Sequence, residues 1–177
     1  MAKLLVLTGP SGAGLSELIK ILFARRDSLR PVTPVTARKM KEGETDGVGF
    51  FFYDLEGWNA LKESGDLLEC IEFAGNDYGT SRRLVKEELS AGHDVLLNLP
   101  VERAAQLKKN MPEALCVYAE PSMPVLEQRY RAIARSAFEL QVRLEQAEKE
   151  RAFSDFCDLR LNSDDPAVAA EELLARL

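Results

Sequence analysis

The stretch Gly9-Pro10-Ser11-Gly12-Ala13-Gly14-Leu15-Ser16 constrains this chain more than any other. It follows a continuous apolar run, Leu4-Leu5-Val6-Leu7, and precedes apolar residues at Leu15, Leu18, Ile19, Leu22 and Phe23. The first pattern is that of a buried strand, and the second places one apolar face on a helix. A strand, a glycine-rich turn and a helix are the setting of a phosphate-binding loop, G-x-x-x-x-G-K-[ST]. The backbone amides of such a turn, at the start of a helix, can hold phosphate oxygens. Gly9, Ser11, Gly12, Ala13, Gly14 and Ser16 are therefore candidate phosphate ligands, and the Ser16 hydroxyl is a candidate contact for nucleotide-borne Mg²⁺. The lysine position holds Leu15, which extends the apolar helix face by one turn in place of a charge.

A chain of 177 residues suits one domain with room for a small insertion. Its net charge of −6 gives no encouragement to DNA, RNA or an anionic membrane as partner. No apolar run approaches the about 18 residues of a membrane span. The opening Met1-Ala2-Lys3 leads straight into the first strand with no leader pattern, so a cytoplasmic location is expected. The three cysteines, Cys70, Cys116 and Cys157, are scattered among apolar neighbours and read as buried thiols. His93 is the single histidine, which leaves no partner for a histidine-based zinc site, and it reads as a turn residue.

Strand and helix patterns alternate along the rest of the chain, which predicts an α/β fold with a parallel sheet covered on both faces. Residues 31–36 read as a short extended segment, and the composition changes at Arg38. Residues 50–53 are strand-prone, Asp54 caps a short helix, and 67–73 form another strand before a turn at Gly75-Asn76. Residues 36–80 thus read as an inserted α+β subdomain within a core of residues 1–35 and 81–177. In that core, Ser81 caps a helix, Asp94–Leu99 is a buried strand, and residues 101–110 are helical. Leu115–Tyr118 is a strand, Ser122 caps a helix, and a polar helix runs from about Ser136 to Phe153. Cys157–Leu161 is the last strand, and Asp164-Asp165-Pro166 opens the terminal helix.

Over nearly its whole length the chain resembles the guanylate kinase family. The resemblance rests on the loop, on Thr36, Arg38, Gly43 and Glu44, on Asp46-Gly47 with the aromatic run after it, and on Glu69 followed by Gly75-Asn76-Asp77-Tyr78-Gly79-Thr80. It implies a P-loop-type core, an inserted subdomain that binds GMP, and a helical lid over about 128–145. It also implies transfer of a phosphoryl group from Mg-ATP to GMP. Carried over residue by residue, Arg38, Lys41 and Tyr78 would hold a phosphate, while Glu69 would accept from guanine's N1 and N2 donors and Thr80 would contact its carbonyl.

The chain departs from the family pattern mainly on the catalytic side. Leu15 removes the loop's point charge, and the D-x-D-x-Q-G segment reads Asn98-Leu99-Pro100-Val101-Glu102-Arg103, without either carboxylate. Phe50 replaces a tyrosine and Pro34 a serine. Lys41 replaces an arginine, which keeps the charge but not the fork. The lid segment Arg129–Arg135 has lost its glycines, leaving Arg135 and Arg143 as the candidate catalytic cations, because Lys20 lies too far along the helix. These losses predict a degenerate member that binds a phosphorylated ligand, either a GMP-like nucleotide or a phosphorylated protein partner, with little phosphoryl transfer. The guanylate-kinase-like domains of membrane-associated scaffold proteins, which also lack the loop lysine, are a precedent for the protein partner. The alternatives are an active guanylate or nucleoside monophosphate kinase in which another cation substitutes, and a structural or assembly protein.

Overall fold

Leu4 and Val6 pack into one apolar cluster and Leu5 and Leu7 into another, so alternate side chains of the first strand are buried on opposite faces. That is the signature of a central strand in a sheet covered on both sides. The computed structural model, which describes residues 2–177, places this strand, β1 (Leu4–Thr8), at the middle of a five-stranded sheet. After it come α1 (Leu15–Arg25), β2 (Leu29–Pro31), β3 (Val35–Thr36), β4 (Phe51–Phe52), α2 (Leu55–Glu63), β5 (Leu67–Phe73), β6 (Asn76–Ser81) and α3 (Arg82–Ser90). The remainder is β7 (Asp94–Asn98), α4 (Val101–Asn110), β8 (Leu115–Glu120), α5 (Met123–Ile133), α6 (Ala137–Phe153), β9 (Leu159–Asn162) and α7 (Pro166–Leu174).

The main sheet runs β2-β7-β1-β8-β9 with every pair parallel. All its strands therefore end on one edge, and the turns after β1 and β7 open there. The second sheet runs β4-β3-β6-β5 and is mixed, with β3 and β4 parallel and β6 antiparallel to both β3 and β5. This is the expected α/β fold with a smaller mixed sheet.

Several boundaries differ from the sequence reading, each for a local reason. Residues 31–36 divide into β2, which joins the main sheet, and β3, which joins the second. The intervening Val32 to Pro34 carry the chain from one sheet to the other. The expected strand over 50–53 narrows to Phe51–Phe52, because only those residues pair with β3. The turn falls at Ala74-Gly75, where both residues have positive φ, and Asn76 already belongs to β6. β9 starts at Leu159 because a 3₁₀ turn over Ser154–Phe156 is closed by the Cys157 amide. His93 sits in the turn after α3 with Nδ1 2.7 Å from Glu88. Cys116 is buried, Cys70 and Cys157 are half-buried, and the sulfurs of Cys116 and Cys157 lie 3.0 Å apart. Among the described residues no helix is long and apolar enough to cross a membrane.

One carboxylate ties the edge of the main sheet together. Asp94, at the start of β7, accepts from the Lys3 amide at 2.7 Å, from Arg26 Nε and Nη2 at 2.8 and 2.6 Å, and from Ser28 Oγ at 3.2 Å. Burial pushes this carboxyl up, but those donors outweigh it and its pKa lies below the ordinary value. Asp94→Ala should cost about 2 kcal/mol in urea unfolding at neutral pH, as expected for hydrogen bonds to a charged group. Because the folded pKa is depressed, the contribution is present above the unfolded carboxylate value. Wild type and variant should therefore converge as the pH falls below that range.

Candidate active site

The loop between β1 and α1 has the backbone its glycines predict. Gly12 and Gly14 have φ of +81° and +80°, and Gly9 lies so close to the Ala119 carbonyl that a Cβ there would stand 2.6 Å from it. Gly14 caps α1 without a side chain, leaving the first helical amides aimed at the turn. Loop residues line a cleft of about 800 Å³ together with Asn98, Leu99 and Pro100 from the end of β7 and Arg129 from α5. Leu15 is half-buried and packs against the apolar cluster beneath α1 and α7, as an apolar residue at that position should.

Arg129 is the cation nearest the loop. It donates at 2.7 Å to the Gly12 carbonyl and at 2.7 Å to the Asp164 carbonyl, fixing α5 against the turn. The two arginines favoured from sequence lie elsewhere. Arg143 is held by Glu139 at 2.8 Å and stacks over Tyr130, while Arg135 falls in the break between α5 and α6, where its amide donates to Glu139. Neither lines the cleft. The break itself comes from Ser136, which caps α6 by accepting from the Glu139 amide. Lys20, discounted from sequence, does line the adjoining part of the cleft, because it follows Ser16 by four residues and shares its helix face.

Mg²⁺ prefers oxygen ligands and usually takes one or two carboxylates together with nucleotide phosphates. Ser16 Oγ and the Asn98 amide oxygen are neutral donors, and no acidic cluster suited to a metal exists among the described residues. Those two neutral oxygens fit an ion whose remaining ligands come from a nucleotide's phosphates.

The cleft continues past Ser16, Asn98 and Leu99 towards the second sheet, where Pro34, Thr80 and Arg103 form its wall. There it meets an apolar recess of about 300 Å³ lined by Pro34, Phe50, Phe73, Tyr78, Pro100 and Arg103. Arg38 lies behind Phe50, 5.6 Å from the ring centroid, and makes a two-pronged pair with Glu44 at 2.9 and 2.8 Å. That hydrogen bond, helped by the Lys41 amide, holds the Glu44 carboxyl at about 2. Arg38 has five N–H donors, so the pair leaves donors on its fork for a phosphate. Lys41 is exposed beside it, and Tyr78 packs its ring 5.7 Å from that of Phe50. The structure thus places Arg38, Lys41 and Tyr78 at one end of the second sheet.

Glu69 and Thr80 face each other across β5 and β6, and both are buried. Gly79 makes this approach possible, since a Cβ there would meet the Glu69 carbonyl at 2.8 Å. Thr80 Oγ1 donates to Glu69 Oε1 at 2.5 Å. Arg103, on α4, completes the set with Nη2 on Oε1 at 2.6 Å and Nε on Oε2. Sequence reading recorded Arg103 only as part of a departed motif. Its pairing partner lies 34 residues earlier, and only the packing of α4 on β5 reveals it.

The guanylate kinase family model matches residues 1–175. A guanylate kinase of Synechococcus sp. (strain CC9311) is 40% identical over 175 residues, covering 98% of this chain and 92% of that protein. One from Thermobifida fusca (strain YX) is also 40% identical over 175 residues, covering 98% and 89%. A crystal structure of guanylate kinase from Anaplasma phagocytophilum superposes with a TM-score of 0.66 at 22% identity, covering 99% of this chain and 84% of that one. A shikimate kinase from Bacteroides thetaiotaomicron superposes with a TM-score of 0.53 at 15% identity, covering 99% of each chain, which speaks to the fold alone.

The loop geometry makes one expectation independent of any ligand. Gly14→Ala forces a side chain into left-handed backbone, and its Cβ would stand 2.8 Å from Pro166 Cγ. A loss of about 1–2 kcal/mol from the backbone alone should appear in chemical unfolding.

Proposed function

The chain belongs to the guanylate kinase family, and we propose that it is a slow nucleoside monophosphate kinase of that family's type, passing a phosphoryl group from ATP at the loop to a GMP-like monophosphate at the second sheet. The observation that carries this reading is a series of adjoining pockets: the loop cleft shares Ser16, Asn98 and Leu99 with the next, which shares Pro34 and Arg103 with the recess walled by Tyr78. Such a path lets two phosphorylated ligands meet end to end. The 40% identity to proteins named guanylate kinase supports turnover over mere binding.

Phosphoryl transfer of this kind asks the protein for positioning and charge neutralisation. In this reading the loop amides and Ser16 hold the donor phosphates, and Arg129 and Lys20 supply the cations that Leu15 does not. Arg38, Lys41 and Tyr78 orient the acceptor phosphate. Mg²⁺ arriving with the nucleotide would neutralise phosphate charge, with Ser16 and Asn98 as its protein contacts.

The reaction should be slow. Losing one preorganised donor from a charge-stabilising site costs about 10²–10³ in rate. The loop lysine is such a loss, and the carboxylates replaced by Asn98 and Pro100 remove acceptors that could position Mg²⁺ or its waters. From an ordinary kinase rate of about 1–100 s⁻¹, a turnover on the order of 10⁻² s⁻¹ or below is expected. Leu15 and Asn98 favour a second reading, in which a phosphorylated nucleotide or protein is bound without transfer.

A coupled assay following GDP formation from GMP and Mg-ATP separates the two. Slow turnover that falls at least about tenfold further in Arg129→Ala supports the first. A GMP-induced melting shift with no turnover transfers support to the second, and no shift with any nucleotide removes the first and leaves the second only for a phosphorylated protein. Leu15→Lys alone should leave the rate well below the ordinary range, because Asn98 and Pro100 remain.

A further inference from the structure

The recess beside the second sheet has no carboxylate in its wall. Glu69, the carboxylate that the lining residue Arg103 holds, is fully buried behind Thr80 and Arg103, and both its oxygens are engaged by them. Arg103, by contrast, lines both the recess and the adjoining cleft, and its Nη1 has no hydrogen-bond partner among the described residues. Its side chain keeps 17% of its exposure while that of Glu69 keeps none. A flat ring entering between Pro34, Phe50 and Tyr78 therefore meets hydrogen-bond donors, from Arg103 and Tyr78, where a free Glu69 would have offered acceptors.

We propose that Arg103 is a specificity-determining residue: by holding Glu69 it makes the recess read a base through acceptor atoms, so that the site takes 6-oxopurine monophosphates without selecting for a 2-amino group. This rests on the reading that the recess receives a nucleoside monophosphate. Guanine and hypoxanthine share the O6 and N7 acceptors that an arginine edge binds well. They also share the N1 donor, so they differ only in guanine's 2-amino group, which finds no acceptor in the recess wall and gains nothing there. Adenine presents a donor at position 6 and meets the Arg103 donors unfavourably.

The test is titration calorimetry of the wild-type protein with GMP, IMP and AMP. GMP and IMP should bind within about threefold of each other, with AMP about tenfold weaker or worse. Arg103→Gly releases Glu69 and should make GMP at least about tenfold tighter than IMP, while Arg103→Lys, which keeps a cation on the carboxylate, should keep the two within about threefold. A wild-type preference for GMP of tenfold or more overturns the proposal, as does a folded Arg103→Gly with no preference. If Arg103→Gly does not fold, the wild-type and Arg103→Lys ratios decide. Binding of no monophosphate by any of the three proteins overturns the proposed function and this inference with it, whereas binding with a strong 2-amino preference overturns this inference alone.

Discussion

A carboxylate with no exposure must find its neighbours inside the fold, and in this protein Glu69 finds them on another element. Thr80 supplies one donor from the adjacent strand, and Arg103 supplies two from α4. Removing one side of such a pair leaves a buried charge uncompensated, at a cost of about 3–5 kcal/mol. The pair is thus a requirement for the arrangement of β5, β6 and α4. It also decides what the adjoining recess shows to a ligand, so structural and chemical roles fall on the same two side chains.

The two ends of the cleft differ in what carries charge. At the second sheet, Arg38, Lys41 and Tyr78 still gather at one edge, and the Arg38–Glu44 pair holds its guanidinium in place. At the loop, Gly12 and Gly14 keep the left-handed backbone of a tight turn, while Leu15 and Asn98 carry no charge. Backbone amides confer affinity for phosphate without being altered by substitution, whereas charge at the transferring group depends on individual side chains. That asymmetry is what the proposed slow transfer rests on.

Much of this was legible in the sequence where the signal was local. The run Leu4–Leu7, the glycines and the helix stripe fixed β1, the loop and α1, because period, turn chemistry and burial agree there. Asp54, Ser81, Ser136 and Asp165 cap the helices their positions announce. Short strands such as β3 and β4 were poorly bounded, since two residues owe their strand character to register with a partner. Lys20, set aside for its distance along the chain, lines the pocket next to the loop because it shares a helix face with Ser16. Arg129 stood out from Arg135 and Arg143 only once the break at Ser136 was placed, and the partnership of Arg103 with Glu69 has no sequence signature at all.

The helix α4 has a dual anchorage. Val101, Ala104 and Leu107 bury one side of it in the main core. Arg103, Gln106 and Asn110 hold β5 by its carboxylate, the Cys70 amide and the Leu68 carbonyl. The cleft wall is thereby clamped to the main sheet rather than hung from a flexible joint. A ligand entering it gives up little freedom on the protein's side, which favours affinity through preorganisation. The same rigidity limits how far binding energy can be converted into closure around the reacting groups, the means by which induced fit assembles a catalytic site.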